Sequence, residues 1–214
     1  MKVDLLDIHT HHEDGKPGEA IISKAPKELI IESGRWYSVG FHPWFLHELE
    51  ADDVDLLKQL AEHPQVLAIG EAGFDNKRNS NREAQFSFFF SQSVLATSLE
   101  KPLIIHMVHA ADLLLRANRL RKHGPWIIHG FRGKEKLAKQ LLNEGMYLSF
   151  GERYNVEALR ATPPDRLFLE TDESKLGINQ IYRKVAQDLN MDVAELEETV
   201  GNNIQRIFFQ RLGW

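Results

Sequence analysis

The stretch Leu5-Leu6-Asp7-Ile8-His9-Thr10-His11 begins as a short apolar run and ends in two histidines that are two residues apart. In an extended strand, residues i and i+2 point to the same side and are about 7 Å apart along the backbone. Both imidazole rings therefore leave the strand on one face, where a third ligand between them would let them share a metal ion. Taken alone, the pattern fits equally well two surface histidines that follow a buried strand.

Seven further strand patterns follow the first, and helical patterns separate most of them. The predicted strands are 3–8, 19–23, 36–40, 66–70, 103–106, 126–129, 146–150 and 166–170. Several are near-continuous apolar runs, as expected of parallel strands that are buried on both faces. The predicted helices are 52–63, 81–99, 110–122, 134–144, 155–161, 179–189, 192–201 and 202–212.

Eight strands that alternate with helices predict an α/β fold, a TIM-type (β/α)8 barrel that spans residues 1–214 as a single domain. The connections 12–18 and 24–35 are short for crossover helices, which usually need a dozen or more residues. Residues 26–34 have room for about two helical turns. We therefore expect a barrel trimmed of helices beside strands 1–3. A second subunit is one way to cover that side, so a monomer and a homodimer both stay open.

Composition limits the classes of function. The 214 residues include 26 basic and 31 acidic side chains, a net charge of -5, which argues against coating nucleic acid by charge alone. The chain has no cysteine, so a metal would be held by histidines and carboxylates. No signal peptide and no apolar stretch of membrane-spanning length is visible, so we expect a cytoplasmic protein that does not enter a membrane.

Polar residues with metal-binding side chains lie at the ends of six of the eight predicted strands. In a barrel of this type the carboxyl ends of the strands form the working face. The residues at these ends are His9, His11, His42, Glu71, His106, His129 and Asp172. Any one of them alone fits a satisfied polar residue at a strand end, but together they converge on one small circle. The set predicts a metal site.

The number of candidates favours two divalent ions, because three or four protein ligands satisfy one catalytic ion. We assign His9, His11, Glu71 and Asp172 to one ion, and Glu71, His106 and His129 to the other, with Glu71 as the bridge. A pair of ions about 3.5–4 Å apart can clamp the attacking and leaving oxygens of a phosphate ester and lower the pKa of bound water. Asp172 is then placed to orient that water and take its proton.

Six segments of the chain resemble the TatD family of metal-dependent hydrolases, which are amidohydrolase-like barrels. The segments are Asp7-Ile8-His9-Thr10-His11, Gly40-Phe41-His42-Pro43, Gly70-Glu71-Ala72-Gly73-Phe74-Asp75, 102–106, His129-Gly130-Phe131-Arg132-Gly133 and Glu170-Thr171-Asp172. They follow one another in the order of the family and are spread over nearly the whole chain. The resemblance implies a deoxyribonuclease, often an exonuclease, that acts on DNA and uses the six metal ligands just assigned.

Some positions depart from the pattern of the family. Val108 stands where the family usually has an arginine that can bind phosphate through two hydrogen bonds. Gly130 and Arg132 replace two usual residues after His129, and Glu173 adds an acidic residue after Asp172. We take Arg132 as a candidate replacement for the missing positive charge. His42 is the second substrate-binding candidate, because the ligand positions are filled without it.

The leading hypothesis is a two-metal phosphodiesterase of the TatD type that acts on DNA ends, with Glu71 and Asp172 as catalytic residues. One alternative is a hydrolase of the same barrel that acts on a non-nucleic-acid ester, an amide or a lactone. The other is a metal-binding module without catalysis. The donor set accepts Mg, Mn or Zn and does not distinguish among them.

Overall fold

Eight parallel strands form one sheet in the order of the chain in the computed structural model, which describes residues 6–78, 81–120 and 124–209. The strands are β1 (Asp7–Thr10), β2 (Ala20–Lys24), β3 (Trp36–Val39), β4 (Val66–Asp75), β5 (Leu103–Val108), β6 (Trp126–Ile128), β7 (Tyr147–Phe150) and β8 (Leu167–Leu169). Each strand pairs in parallel with the next. The predicted TIM-type barrel is confirmed.

The sheet closes between β1 and the segment that follows β8. The amide of His11 donates to the carbonyl of Asp172 at 3.1 Å, and the amide of Asp172 donates to the carbonyl of His9 at 2.9 Å. Asp172 has a φ of 55°, a left-handed conformation that aspartate tolerates better than most residues. The closure therefore brings the first and last predicted ligand segments side by side.

Helices cover the barrel from β4 onward. They are α1 (Ala51–Ala61), α2 (Arg82–Ser98), α3 (Ala111–Leu120), α4 (Glu135–Asn143), α5 (Val156–Arg160), α6 (Ile178–Leu189) and α7 (Val193–Ile204). Side chains cap several of their first turns, as when Asn81 accepts from the amide of Ala84 and Asn155 accepts from the amide of Ala158. Their apolar faces pack on the strands, and α2 contributes the fully buried Phe89.

The outer layer is thin beside β1, β2 and β3, as the short connections predict. No helix lies between β1 and β2, and Pro26–Glu28 forms a single 3₁₀ turn between β2 and β3. Residues 26–34, which have room for about two helical turns, therefore hold only this one short turn. Leu29 already has extended backbone and buries its side chain in the core, which ends the turn.

Several predicted boundaries were wrong. The strand predicted over 66–70 continues to Asp75, and β1 runs through His9, although residues 3–5 of its predicted start lie outside the described residues. The predicted helix break at Gly201 is absent: α7 continues to Ile204 and leads into a π-helix, Gln205–Phe209. Val200 and Ile204 are both fully buried on one face, and that packing carries the helix past the glycine. Residues 210–212 of the last predicted helix lie outside the described part.

A search of the described residues finds no helix that is both long and apolar enough to pass through a membrane.

Candidate metal centre

The Glu71 carboxylate lies at the centre of the predicted site, in the middle of β4, and is 5% exposed. Its Oε1 lies 2.7 Å from Nε2 of His129 and 2.8 Å from Nδ1 of His106. Its Oε2 lies 3.4 Å from Nε2 of both His9 and His11. The two oxygens of one carboxylate therefore face two different pairs of histidines.

Asp172 completes the group around His9 and His11. Its Oδ1 lies 3.8 Å from Nε2 of His9 and 3.7 Å from Nε2 of His11. His9 is fully buried, yet its Nε2 has no hydrogen-bond partner among the described residues. A buried nitrogen that faces two carboxylates without a hydrogen bond is what a missing cation would leave. The donor set therefore fits a divalent metal ion.

His42 lies inside the same cluster. Its Nε2 is 3.1 Å from Oε1 of Glu71, and its Nδ1 accepts from the amide of Trp44 at 3.2 Å. Ligand atoms of His42, Glu71 and His106 lie close enough together to hold one ion. The sequence analysis placed His42 with the substrate, whereas its position in the structure suits a metal ligand as well.

Two further carboxylates hold the histidines from behind. Asp75 Oδ2 lies 3.2 Å from Nε2 of His106, and Glu170 Oε1 lies 3.3 Å from Nδ1 of His129. Such partners orient ligating imidazole rings and raise their basicity. The sequence analysis missed both roles, although residues four apart on one strand, such as Glu71 and Asp75, point to the same side. That alternation was a usable signal.

Asp7 has a different supporting role, because it links β1 to the segment after β8. It accepts hydrogen bonds from the amide of His9 at 3.2 Å, from the amide of Thr171 at 3.1 Å and from Thr171 Oγ1 at 2.6 Å. Burial raises the pKa of Asp7 to about 7, although these hydrogen bonds oppose the rise. Asp7 thereby fixes the backbone at His9 and joins it to Thr171.

A close approach of backbones brings His106 to Glu71. Gly73 has a φ of +152°, and a Cβ at this position would lie 2.0 Å from the carbonyl oxygen of His106. Only glycine allows β4 and β5 to meet so closely here. The glycine of the Gly-Glu-Ala-Gly segment therefore serves the spacing of the two ligand strands.

The charges of the buried cluster depend on one another. Burial by itself would raise the pKa of Glu71, but His129, His106 and His11 hold that pKa well below its usual value. Burial likewise opposes charge on His129, but Glu71 and Glu170 raise the pKa of this histidine well above its usual value. Glu71 and His129 therefore each stabilise the charged form of the other inside the buried cluster.

Comparisons with known proteins show the family of the chain. A family model described as TatD related DNase matches residues 20–209. The chain belongs to this family.

Its relatives share sequence over most of their length. The 3'-5' ssDNA/RNA exonuclease TatD of Cronobacter sakazakii is 31% identical over 205 residues, which cover 83% of this chain and 78% of the relative. A Bacillus subtilis protein named uncharacterized metal-dependent hydrolase YabD is 27% identical over 85% of this chain and 80% of its own.

Solved structures of the TatD family share the fold. A TatD family hydrolase from Entamoeba histolytica superposes with a TM-score of 0.79 at 20% identity, over 96% of this chain and 98% of the other. The TatD homologue YJJV of Escherichia coli gives a TM-score of 0.79 at 19% identity, over 97% of this chain and 99% of the other. At these identities the agreement concerns the barrel itself.

In this TatD-family chain, a cavity of about 530 Å³ leads from the cluster toward the thin side of the barrel. Six residues of the cluster line it, namely His11, His42, Glu71, His106, His129 and Asp172, and its wall includes Phe41, Phe45 and Leu49 together with the ends of β2 and β3. Phe45 is 51% exposed at this wall. Arg132 is exposed and is not among the residues that line the cavity, so it would meet only a substrate that extends beyond it.

Trp44 is held at the cavity wall rather than left free for stacking. Its Nε1 donates to Oδ2 of Asp75 at 2.6 Å, and the guanidinium of Arg78 lies 4.0 Å from the centre of its ring. The same Asp75 oxygen faces His106, so Trp44 fixes the orientation of a carboxylate that supports the cluster.

Proposed function

We propose that this protein is a metal-dependent phosphodiesterase that hydrolyses DNA from its ends at a site with two divalent ions. The observation that carries the proposal is the position of Glu71, whose Oε2 faces His9 and His11 and whose Oε1 faces His106 and His129. A carboxylate arranged in this way suits a bridge between two ions. The family relationship, and the names of relatives such as the Cronobacter exonuclease, support the nuclease assignment.

The ligands divide into two groups around Glu71. His9, His11, Glu71 and Asp172 would hold one ion, and Glu71, His106 and His129 would hold the other, with His42 beside the second group. The ions supply Lewis acidity, which polarises a phosphate ester and makes a neighbouring water molecule more acidic. Mg, Mn and Zn all accept this donor set, and the ion that works in the cell is a matter for experiment.

The residues of the chain have separate tasks in this reaction. Asp172 borders the cavity with a side chain that is 25% exposed, so it can reach a water molecule there and accept its proton. Asp75 and Glu170 keep the rings of His106 and His129 in place, so that their ligand nitrogens need not reorient during turnover. The wall around Phe41 and Phe45 offers apolar surface against which a terminal base can lie.

The rim of the cavity favours a second candidate. Glu28, Glu48 and Glu173 are exposed residues of the lining, and their charges repel a long polyanion. A hydrolase that acts on a small non-nucleic-acid ester, an amide or a lactone would meet no such repulsion. The metal cluster is compatible with that chemistry as well.

The test is hydrolysis of a 5′-labelled single-stranded oligonucleotide by metal-stripped protein to which Mg, Mn or Zn is added. Glu71→Ala removes the proposed bridge, and Glu173→Gln is the matched control, because it changes one carboxylate of the rim and leaves the cluster intact. We expect a ladder of shortened products from the wild type and the control, and none from Glu71→Ala.

Each other outcome decides against part of the proposal. Products that persist unchanged in Glu71→Ala would refute the mechanism. An absence of DNA products together with turnover of small esters, amides or lactones would favour the second candidate. Protein that binds two ions tightly and turns over neither class would be the metal-binding module without catalysis.

A further inference from the structure

We propose that Lys24 binds a phosphate oxygen of the substrate. Until the substrate phosphate displaces it, Glu13 forms an ion pair with Lys24. The inference deepens the proposed function and rests on it, because it assigns a specific cation to a substrate that carries phosphate. The sequence analysis found no candidate at the end of the second strand, which is where Lys24 lies.

Lys24 is close to the metal cluster in the fold. It is the last residue of β2 and pairs in register with Val39 at the end of β3. Its side chain is only 17% exposed, and it lines the same cavity as His11, His42 and Asp172. A largely buried ammonium group thus borders the space that a substrate must enter.

The present partner of Lys24 is a carboxylate that can leave. The Nζ donates to Glu13 Oε1, and the Glu13 side chain is 61% exposed. Glu13 follows His11 by two residues in the loop without a helix between β1 and β2, so its side chain can turn into solvent. The exchange of one anion for another at Lys24 costs little, because Lys24 is already mostly removed from water.

Lys27 shows what a cation fixed for structural reasons looks like in the same cavity. Its Nζ lies 3.1 Å from Oδ1 of Asp53 and 3.2 Å from Oε2 of Glu50. Asp53 also accepts a hydrogen bond from the amide of Glu50 at 2.9 Å, which starts α1. Two carboxylates that belong to a helix start therefore neutralise Lys27 and keep it there.

The carboxylates around the cavity explain why a substrate phosphate needs a cation such as Lys24. Among its lining residues in the described part of the chain, Lys24 and Lys27 are the only lysine or arginine side chains. The carboxylates in that lining are Glu28, Glu48, Asp53, Glu71, Asp172 and Glu173. A phosphate is repelled by these groups, and the cluster would attract it only at the inner end. Lys24 offers the one exchangeable positive charge along the wall.

The expected effect is on binding. We expect Lys24→Ala to raise the KM for an oligonucleotide by about 10- to 100-fold, the range for a lost hydrogen bond to a charged group, with little change in kcat. Lys24→Arg retains the charge and restores most of the affinity. Glu13→Gln removes the competing anion and lowers the KM. Lys27→Ala is the matched control, and we expect its KM to change by less than about threefold because its charge is already neutralised.

A binding measurement separates this inference from the proposed function. Thymidine 5′-monophosphate and thymidine are titrated calorimetrically into metal-loaded wild type, Lys24→Ala, Lys24→Arg and Lys27→Ala. We expect Lys24→Ala to weaken the binding of the monophosphate by the same 10- to 100-fold and to leave the binding of thymidine unchanged. Comparison of oligonucleotides with and without a 5′-phosphate shows whether Lys24 meets a terminal or an internal phosphate.

The outcomes are distinct. Equal affinity of wild type and Lys24→Ala for the monophosphate, no binding by the wild type, or an equal loss in Lys27→Ala would each overturn the inference. A fall in kcat with an unchanged KM would overturn it too. Phosphate binding that depends on Lys24 in a protein that cleaves no oligonucleotide would refute the DNA substrate and leave the Lys24 site standing.

Discussion

The two sides of this barrel differ in how they are covered and in how the side chains of the candidate metal centre are held. The connections from β1 to β2 and from β2 to β3 hold no α-helix, whereas each connection from β3 to β8 holds one. On the helix-covered side, His106 and His129 each have a carboxylate behind the ring, in Asp75 and Glu170. On the thin side, His9 has no hydrogen-bonded ring nitrogen among the described residues.

This difference indicates that one side of the barrel holds the histidine rings in place, and that the other side carries the opening of the cavity. On the covered side, carboxylates hold the rings of His106 and His129 in place without any metal. The thin side offers the opening, since the cavity is bordered there by the end of β2 and the turn that follows it. Residues 23–28 of this cavity wall belong to β2 and to the connection without an α-helix that follows it.

The largest expected effect comes from removal of one ligand on each side. His129→Ala and His11→Ala should both lower the metal-dependent activity by more than about 100-fold, above the 10- to 100-fold typical of residues that only orient ligands. Only His129→Ala should destabilise the metal-free protein, by about 3 kcal/mol or more, because it removes the buried histidine that faces both Glu71 and Glu170. His11 has a side chain that is 41% exposed and should change stability little.

Activity assays and urea denaturation of metal-free protein measure both effects. Equal stability of the two variants would break the comparison between a supported and an open side. Full metal content and activity in either variant would remove that histidine from the ligand set.

Truncation of an apolar side chain should likewise destabilise the protein more on the helix-covered side than on the thin side. Leu141 of α4 is fully buried, and Leu141→Ala should lower the free energy of unfolding by about 2–5 kcal/mol. Ile30, on the thin side, is 78% exposed, and Ile30→Ala should change it by less than about 0.5 kcal/mol. Urea denaturation at low protein concentration measures both. A large loss in Ile30→Ala would mean that the thin side is covered in solution, for instance by a second copy of the chain.

Loss of the Asp75 charge, which supports the ring of His106, should weaken metal binding less than loss of a proposed ligand does. Asp75→Asn keeps the shape of the side chain but removes the charge that faces His106, and we expect metal affinity to fall by about 10- to 100-fold. Competition of the metal against a chelator measures it. Asn76→Asp, one residue on, is the control for a change of charge in the same loop. An unchanged affinity in Asp75→Asn would show that the charge of Asp75 is not needed to orient His106.

The smallest effect should come from a helix start on the covered side. Asn155 caps α5 by accepting from the amide of Ala158 at 2.9 Å. Asn155→Ala should lower the free energy of unfolding by about 1 kcal/mol and leave activity unchanged, because α5 lies away from the cluster. Thermal unfolding alongside the oligonucleotide assay checks both parts. A parallel loss of activity would mean that the covered side is coupled to the site.

The strand ends were predictable from the sequence because two rules apply along a chain without knowledge of contacts. Alternation places His9 and His11 on one face of a strand, and parallel strands of a barrel present their carboxyl ends on one side. The six proposed ligands do converge around Glu71, as those rules imply. The thin outer layer also followed from connection length alone.

Boundaries within helices were less predictable because burial overrides local preference. Gly201 suggested a helix end, yet Val200 and Ile204 pack on the core and the helix continues. Gln85 and Gln92 show the same limit. They are two turns apart on α2 and are buried, which local sequence would suggest mainly for apolar side chains. Their side chains instead accept from the amides of Asp75 and Phe41, at 2.6 and 2.7 Å, in the segments that carry the site.

The sequence by itself determined the barrel, its trimmed side and the residue types that meet at its working end, because periodicity and strand order act along the chain. Tertiary structure alone decided which atoms face one another: the two oxygens of Glu71, the carboxylates behind His106 and His129, and the pairing of Lys24 with Glu13. The physical reason is that these contacts join residues from different strands and loops. Their distances are set by how the strands pack, and no pattern along the chain encodes them.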